Sequence, residues 1–586
     1  MSLTLVQLPL DQMLAELLPR VEGEPDAHLI DRLFDSVPSH QQGDDLYQPL
    51  LEVINDSGIL GDYVLIAATS IARKSRPERT KVVGGMYAKD FRGAAINKRF
   101  DGSSVELSIE CESYPTSDDP FDDHDLTRRP SWNRRKDNLR RFMNHPALVF
   151  ECQQRTHYYS IIIIGSYARI VRWDRSGAIF SPKFDYERDP AKLGLFLWRF
   201  SHSSASVRGH DPTACHVLPG SEHRALMVQW AAHQLPPAAD HAREMFAESL
   251  VDDWPWYKLT VGDPVTGTPR EFLVGRPIFA APGVVGRGTR GYVALDITNP
   301  EYVFVFLKDC WRVLQPGSEQ EGSILVYLNE KGVEHIPTAL IHGDVEGQRT
   351  LSEGICPAPV HERGQQCEFK TKAHYRLAVK EVGLPLKRFR TGKELVRVFL
   401  HCLMAHEDAY KKAKVMHRDI SVGNIIMVPK IFDGGMVYEG LLTDWELSKR
   451  LDQRGLVPGH PHRMGTWQFM SVKAINDPGM HIELADELES MFHAMLWCAV
   501  RYLPHNCPNV GEFMNSYFDV AETLAHKVYW CNWAKESAME CGGVNIIGRV
   551  PLVFLRERPS RDGTRGRGLS AQQSETTGRL PHLHIG

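Results

Sequence analysis

The chain has 586 residues, of which 42% are apolar and 24% charged, with a formal charge of −5. At about 150 residues per domain this length implies two to four domains, and the composition is that of a folded globular protein rather than a disordered or membrane-spanning one. The balanced charge excludes a globally basic nucleic-acid wrapper; eleven cysteines without a C-x-x-C pair or a His/Cys cluster at zinc-ligand spacing point to a reducing compartment and against structural zinc.

Residues 1–24 carry no basic stretch ahead of an apolar run and read as a short amphipathic helix with Leu14, Leu17 and Leu18 on one side. No window holds 18 consecutive apolar residues, so no bilayer span is expected and the location implied is cytoplasmic or nuclear. Residues 1–55 are expected to be helical throughout, with Leu29, Ile30, Leu33 and Phe34 at helix spacing. From about residue 60 the period shortens. Tyr63–Ala68, Val105–Glu110 and Tyr158–Gly165 are strand-like runs, and the last continues through Ala168–Trp173 to a polar turn at Asp174–Gly177 and a returning Ala178–Phe180 strand. Residues 56–200 are therefore expected to form a mixed α/β domain.

An acidic block (Asp118, Asp119, Asp122, Asp123, Asp125) and a basic block (Arg128–Arg141) lie inside that domain. They are expected to pair with each other or to lie in solvent, nucleic-acid contact or nuclear import being the lesser reading of the basic one. The Glu106–Glu112 strand invites comparison with an E-x-K nuclease-like metal site, but Glu112 stands at the lysine position, which favours a structural role. Residues 201–223 are polar and broken by Gly and Pro, so 201–255 is expected to be a linker followed by a helix. A second α/β unit spans 256–555. The tail, 556–586, has no periodic apolar face and is expected to be disordered.

Chemistry concentrates in the second unit. In Met416-His-Arg-Asp-Ile-Ser-Val-Gly-Asn424, the carboxylate of Asp419 precedes the amide of Asn424 by five positions. One loop thereby offers a proton acceptor for a substrate hydroxyl and an oxygen ligand for Mg²⁺ beside phosphates. Upstream, Gly286, Gly288 and Gly291 form a G-x-G-x-x-G-x-V string ending in Val293; without Cβ atoms, its backbone N–H groups can approach phosphates closely. The strand-like run Tyr302–Leu307 ends in Lys308, 17 residues after Gly291, and within reach of α- and β-phosphates. Glu321, 13 residues further and ahead of an apolar face of Ile324, Leu325 and Leu328, is the candidate ion-pair partner of Lys308. Glu319 competes for that role, and either glutamate also suits a helix first turn.

Downstream, Asp444 closes the apolar run Leu441-Leu-Thr, 25 residues after Asp419, a spacing that a hairpin turn at Asp433-Gly-Gly explains. Glu446 stands two positions after Asp444, where a glycine would tolerate positive φ, and this implies a stiffer site. The segment Gly465-Thr-Trp-Gln-Phe-Met-Ser471 follows. Asp486 and Glu487 then open an apolar helix, placed either to cap it or to bond the backbone of the Asp419 loop.

In this order, HRDISVGN, DWEL, RMGTWQFMS, DELES, GRGTRGYV, FLKDCWR, QEGSIL and, upstream, RIVRWDRSGAIF resemble the fungal-type protein kinase family, a divergent branch of the eukaryotic protein kinase fold, over about residues 60 to 505. The resemblance implies an α+β architecture: a bilobal protein-kinase-like domain preceded by a mixed α/β N-terminal domain. It implies ATP and Mg²⁺ as ligands and phosphoryl transfer to a protein substrate, with Ser or Thr the expected acceptor and Tyr left open. Asp419 would orient the acceptor hydroxyl, Asn424 and Asp444 would hold Mg²⁺, and Lys308, fixed by Glu321, would grip the phosphates beneath Gly286, Gly288 and Gly291. Arg418 would ordinarily attract a phosphate on the following loop. Yet 449–465 contains no Ser, Thr or Tyr, so activity independent of phosphorylation there is expected, with Asp452 as a fixed negative charge.

The sequence departs from the kinase pattern in four places. Ser421 replaces a phosphate-facing lysine, Trp445-Glu446 replaces Phe-Gly, Ser471-Val-Lys473 lacks the A-P-E glutamate, and the region after 505 lacks long helices. Two other readings stay open. One is a small-molecule kinase of the aminoglycoside or choline type, favoured by Trp445-Glu446 and disfavoured by Arg418 and the GTWQFMS segment. The other is a catalytically weak pseudokinase or scaffold.

Overall fold

The computed structural model describes residues 4–26, 30–37, 44–69, 82–90, 100–112, 119–121, 132–263, 267–301, 303–314, 318–351, 371–451, 465–477, 479–519, 522–524, 528–546 and 550–555. The tail 556–586, Asp452 and most of the acidic block lie outside them. No helix among the described residues is long and apolar enough to cross a membrane. Helices and sheets are mixed, in an α+β arrangement.

The first of two eight-stranded sheets gathers β1 (Thr4–Gln7), β2 (Tyr63–Thr69), β3 (Val82–Ala88), β4 (Leu107–Glu112), β5 (Tyr158–Ile164), β6 (Tyr167–Trp173), β7 (Gly177–Phe180) and β8 (Phe184–Asp185). Its order is β1-β7-β6-β5-β4-β3-β2, with β8 also on β6. The β5 sequence, Tyr-Tyr-Ser-Ile-Ile-Ile-Ile, is buried throughout because both faces are covered. Successive side chains alternate between faces. Tyr159, Ile161 and Ile163 enter one core with Leu14 of α1 (Leu10–Leu17), Leu50 of α2 (Asp44–Asp56) and Phe196, while Tyr158, Ile162 and Ile164 enter another with Phe150, Trp173 and Phe180. Helices α3 (Trp132–Phe142), α4 (Asn144–Cys152) and α5 (Pro190–His202) complete this layer.

The expectation of helix throughout 1–55 is corrected at three places, one of them residues 18–26, which are turn and irregular chain. Thr4–Gln7 is a strand, parallel to β7, since Val6 is buried only by joining the sheet edge. Residues 31–36 form turns, in which the spacing of Ile30 and Phe34 serves to bury both, Phe34 lying edge-on to Tyr186 at 5.2 Å. In the charge blocks Arg140 is largely exposed, as expected, whereas two described members pair outside the blocks. The described acidic residue, Asp119, is buried against Arg169 at 2.7 Å and Lys183 at 3.4 Å, and Arg141 of the basic block pairs with Glu112 at 2.7 Å. The carboxylates of the Glu106–Glu112 strand are likewise engaged: Glu106 by Arg155 and Arg208, and Glu110 by the His145 ring.

The second sheet is antiparallel in the order β15-β16-β14-β13-β11-β10-β9. Its strands are β9 (Ala214–His216), β10 (Tyr257–Val261), β11 (Arg270–Val274), β12 (Phe279–Ala280, paired with β13), β13 (Arg290–Asp296), β14 (Val303–Val313), β15 (Ala339–Arg349) and β16 (Lys372–Val379). Helices α6 (Glu222–Ala231) and α7 (Asp240–Ser249) precede β10, and α8 (Glu321–Glu330) follows β14. The segment read as a linker, 201–223, is thus not merely a connection: Ala214–His216 is an edge strand on β10. Within this partly exposed stretch Asp211 is buried and paired. Asp211 accepts from Arg376 at 2.5 Å and from Gln348 at 2.5 Å, and Arg376 also reaches Asp309 at 3.2 Å.

Beyond the sheet come β17 (Leu384–Pro385), α9 (Gly392–Asp408), β18 (Val415–Met416), β19 (Ile425–Phe432), β20 (Gly435–Leu442), β21 (Lys449–Arg450), α10 (Val472–Asn476), α11 (Leu484–Tyr502) and α12 (Trp533–Cys541). The β19–β20 hairpin turns at Asp433 and Gly434, both at positive φ, which accounts for the long spacing between Asp419 and Asp444. One core runs from Ile324, Leu325 and Leu328 of α8 through Val398 and Phe399 of α9 to Met491 and Ala494 of α11.

Removing the Asp211 charge tests the buried pairing. Burial alone would raise its carboxyl, but Arg376 and His374 hold it down at about 2. The stabilisation is therefore full above the unfolded value of 3.8 and is lost as the pH falls toward 2. Asp211→Asn is expected to cost about 3 kcal/mol in urea unfolding at pH 7 and to flatten the acid limb of the stability curve; an unchanged midpoint would contradict the pairing.

Candidate active site

Lys308 sits in the interior of β14, flanked by Gly291 of β13 and Leu377 of β16. Its side chain is 9% exposed. The ammonium donates to Glu321 Oε2 at 2.6 Å, to Asp444 Oδ1 at 2.8 Å and to Glu446 Oε2 at 3.3 Å. Glu321 is the first residue of α8, so the helix start carries its carboxylate to the sheet, and its other oxygen accepts the Trp445 N–H at 3.2 Å. Glu319, the competing candidate, instead pairs with Arg450 at 3.2 Å. Of the two glutamates, only Glu321 faces Lys308.

Asp444 follows β20 with φ 61° and ψ 66°, a left-handed conformation that aspartate tolerates better than most residues. Trp445–Leu447 form a 3₁₀ turn, so the left-handed residue is Asp444 itself and a glycine two positions later is unnecessary. Trp445 is fully buried, donates from its indole to Leu442 O at 2.9 Å and presents its ring to His417 at 4.6 Å.

The catalytic-loop candidates are tied to this group through the main chain. Thr443 N donates to Asn424 O at 2.8 Å, and His417 Nε2 lies 2.9 Å from Thr443 O. Asn424, ending a 3₁₀ turn, donates its amide N–H to Asp419 O at 2.7 Å, which leaves its side-chain oxygen as a possible ligand atom. Arg418 has φ 69°, and its N–H is held by Glu487 Oε1; the second Glu487 oxygen meets His406 and takes the His417 N–H at 3.3 Å. The two expectations for the α11 acidic pair divide between its members. Asp486 caps the helix by accepting Glu483 N at 2.8 Å, whereas Glu487 bonds the loop.

Four contributors were not legible as such in the sequence. Thr466 donates from both its N–H and its hydroxyl to Asp419 Oδ1, each at 2.9 Å, orienting that carboxylate; the GTWQFMS match is the only signal that hints at it. Lys535 of α12 donates to the carbonyls of Gln468 and Met470, at 3.2 and 2.6 Å, and Glu489 accepts Val472 N at 2.8 Å. Together these hold the segment where the A-P-E glutamate is missing. Arg287, between two of the glycines, reaches across to Glu446 Oε2 at 2.5 Å.

Gly286, Gly288 and Gly291 lie in the β12–β13 connection and at its end. The absence of side chains has a packing cause at two of them. A Cβ at Gly291 would lie 2.9 Å from the Phe306 ring, and one at Gly288, where φ is +52°, would lie 2.4 Å from the guanidinium carbon of Arg175.

The electrostatics follow from crowding. Burial alone would depress the Lys308 ammonium, but Asp444, Glu321 and Glu446 together hold it well above its ordinary value. Burial, with the neighbouring Asp444 and Glu446 charges, pushes Glu321 up against the pull of Lys308, to about 7. Burial opposes ionisation of Asp444 as well, yet Lys308 and Arg287 keep its carboxyl far below the usual range. Oxygens of Glu321, Asp444 and Glu446 lie within 4.8 Å of one another, gathered around the Lys308 ammonium. Of these, Asp444, whose neighbour Thr443 bonds Asn424 O, is the hard oxygen donor that suits a divalent cation such as Mg²⁺ together with the Asn424 amide oxygen.

Residues 124–355 and 346–499 match the model of a family described as fungal protein kinase, more than half of the chain. The chain belongs to that family. No curated protein matches it.

Glu487 offers a test of how the loop is held. Burial raises its carboxyl, but His406, His417 and the Arg418 N–H outweigh that and lower it. Glu487→Ala strands the loop N–H groups and the His406 ring, and is expected to destabilise the chain by about 3 kcal/mol near neutral pH. Chemical denaturation measures this; a loss below about 0.5 kcal/mol would mean that water replaces the carboxylate.

Proposed function

We propose that this chain is an ATP- and Mg²⁺-dependent protein kinase that transfers the γ-phosphate to a serine or threonine hydroxyl. The observation that carries the reading is the 2.8 Å contact between Lys308 Nζ and Asp444 Oδ1, which joins groups 136 residues apart at one place. In this reading the kinase domain, 256–555, is bilobal. One lobe is built on the second sheet with α8, the other on α9 and α11, and the mixed α/β domain of 56–200 precedes them. Bound ATP would supply the phosphoryl group, and Mg²⁺, held by Asn424 and Asp444, would neutralise its charge.

The chain's own residues do the positioning. Asp419, fixed by Thr466, orients the acceptor hydroxyl and accepts its proton. Lys308, fixed by Glu321, binds the α- and β-phosphates. Gly286 to Gly291 cover them. Such sites act by alignment and charge neutralisation rather than through covalent intermediates. A protein acceptor, rather than a small amino-alcohol, is supported by the Thr466–Asp419 bonds, which couple the catalytic carboxylate to the GTWQFMS segment. A cavity lined by Ile420, Gly465, Thr466 and Met470 lies beside Asp419 and offers room for an acceptor side chain.

The test is γ-phosphate transfer by the purified chain to generic protein substrates, with amino-alcohols in parallel. Wild type should phosphorylate protein in a Mg²⁺-dependent manner. Asp444→Ala should abolish transfer, and Asp419→Asn should keep Mg-ATP binding within about twofold while lowering kcat by about 10²–10⁴. Transfer to amino-alcohols alone would favour the small-molecule kinase. Nucleotide binding without any transfer would favour the scaffold.

A further inference from the structure

The β6–β7 turn of the first sheet, Asp174-Arg-Ser-Gly177, does not face solvent. Asp174, Arg175 and Ser176 are all buried, and the turn is closed by Asp174 Oδ1, which accepts Ser176 N at 2.8 Å and Gly177 N at 3.2 Å. What buries it is the glycine-rich loop. Gly286 N donates to Arg175 O at 3.0 Å, and the Arg175 guanidinium donates to Gly283 O at 2.9 Å and Val284 O at 3.2 Å. The same guanidinium lies 4.5 Å from the centroid of the Phe150 ring and reaches Phe150 O at 3.3 Å. Val284 is fully buried in the first-sheet core with Phe150, Trp173 and Phe180. Lys372 of β16 closes the other side, donating to Arg175 O at 2.9 Å.

We propose that Arg175 is a positioning residue of the nucleotide site, through which the first sheet sets the shape of the glycine-rich loop. A buried guanidinium is expensive to desolvate, and the acceptors of this one are main-chain carbonyls, two of them in the loop. The loop contributes no side chain at Gly288, because Arg175 fills that space. Past this anchor the chain runs directly into the site: Arg287 O accepts Trp311 N at 2.7 Å, and the Arg287 guanidinium meets Glu446, which also contacts Lys308. A second anchor, Arg290, donates to Gln153 O at 3.0 Å and to Gln154. The loop that would cover phosphates is therefore pinned from the first sheet at one end and directed at Glu446 in its middle. The inference rests on the nucleotide reading above.

The experiment compares Mg-ATP affinity and kinetics in the full chain for wild type, Arg175→Met, Arg287→Ala, the double variant and Arg199→Ala. Arg199 is a control because its buried pairing with Glu24 lies within the first layer and contacts no part of the loop. Arg175→Met is expected to weaken Mg-ATP binding about tenfold, raising KM more than it lowers kcat. The loss in the double variant should fall short of the product of the single losses, since both act through one loop. Arg199→Ala should lower thermal stability without changing Mg-ATP affinity. Equal affinities of Arg175→Met and wild type, or the same affinity loss in Arg199→Ala, would overturn the proposal alone. Failure of wild type to bind Mg-ATP would overturn the nucleotide reading and this inference with it. Should Arg175→Met not fold, hydrogen exchange on the wild type decides. The Gly286 amide should be as protected as the flanking strands without nucleotide, and rapid exchange there would overturn the anchor.

Discussion

Everything in the candidate site turns on one ammonium group with three carboxylates around it. Lys308 is held by Glu321, Asp444 and Glu446, with Arg287 as a second cation on Glu446. Two positive charges cannot fully neutralise three negative ones. At an effective dielectric near 20, each contact at about 3–4 Å is worth roughly 4 kcal/mol before desolvation, so an uncompensated carboxylate there is costly. Part of the imbalance is relieved by Glu321, whose carboxyl is pushed up to about 7. The remaining negative charge is what a divalent cation would satisfy.

The same cluster has a mechanical consequence. Glu321 bonds Lys308 with one oxygen and Trp445 N with the other, so the start of α8 is joined to both β14 and the Asp444 turn. Trp445 in turn packs on His417, and His417 and Asn424 bond the Thr443 main chain. A displacement of α8 would therefore be felt at Asp444 and then at the loop carrying Asp419.

Local signals made part of this legible. The Asp419–Asn424 loop, the hairpin at Asp433-Gly434 and the apolar face of α8 are encoded within a few residues, where turn chemistry and periodicity act. The alternation of β5 between two cores is also local, although four consecutive isoleucines concealed which faces were covered. What remained hidden depends on partners far away in sequence. Arg287 and Glu446 are 159 residues apart, and Arg376 and Asp211 are 165 apart. Each of these residues, alone, reads as an ordinary solvated charge. Asp211 was the more deceptive, because a polar, Gly-containing stretch looks like a linker whether its polar groups meet water or a buried arginine. The strand at Thr4–Gln7 was missed for a related reason: it is too short to show a period, and its pairing with β7 decides its conformation.

The place of the first sheet follows from the chemistry of the glycine-rich loop. A loop that must let backbone N–H groups approach a ligand has few side chains with which to hold itself, and glycine adds conformational entropy that ordering must overcome. Some other surface has to restrain it. Here that surface is the β6–β7 turn, with Arg175 bonding the loop carbonyls and Val284 sunk among Phe150, Trp173 and Phe180. The family match begins at residue 124 and so includes β5, β6 and β7 together with the second sheet. A first layer that merely preceded an independent domain would have no need to bury a guanidinium beneath that domain's loop. Its burial there makes the first sheet part of the apparatus that shapes the site.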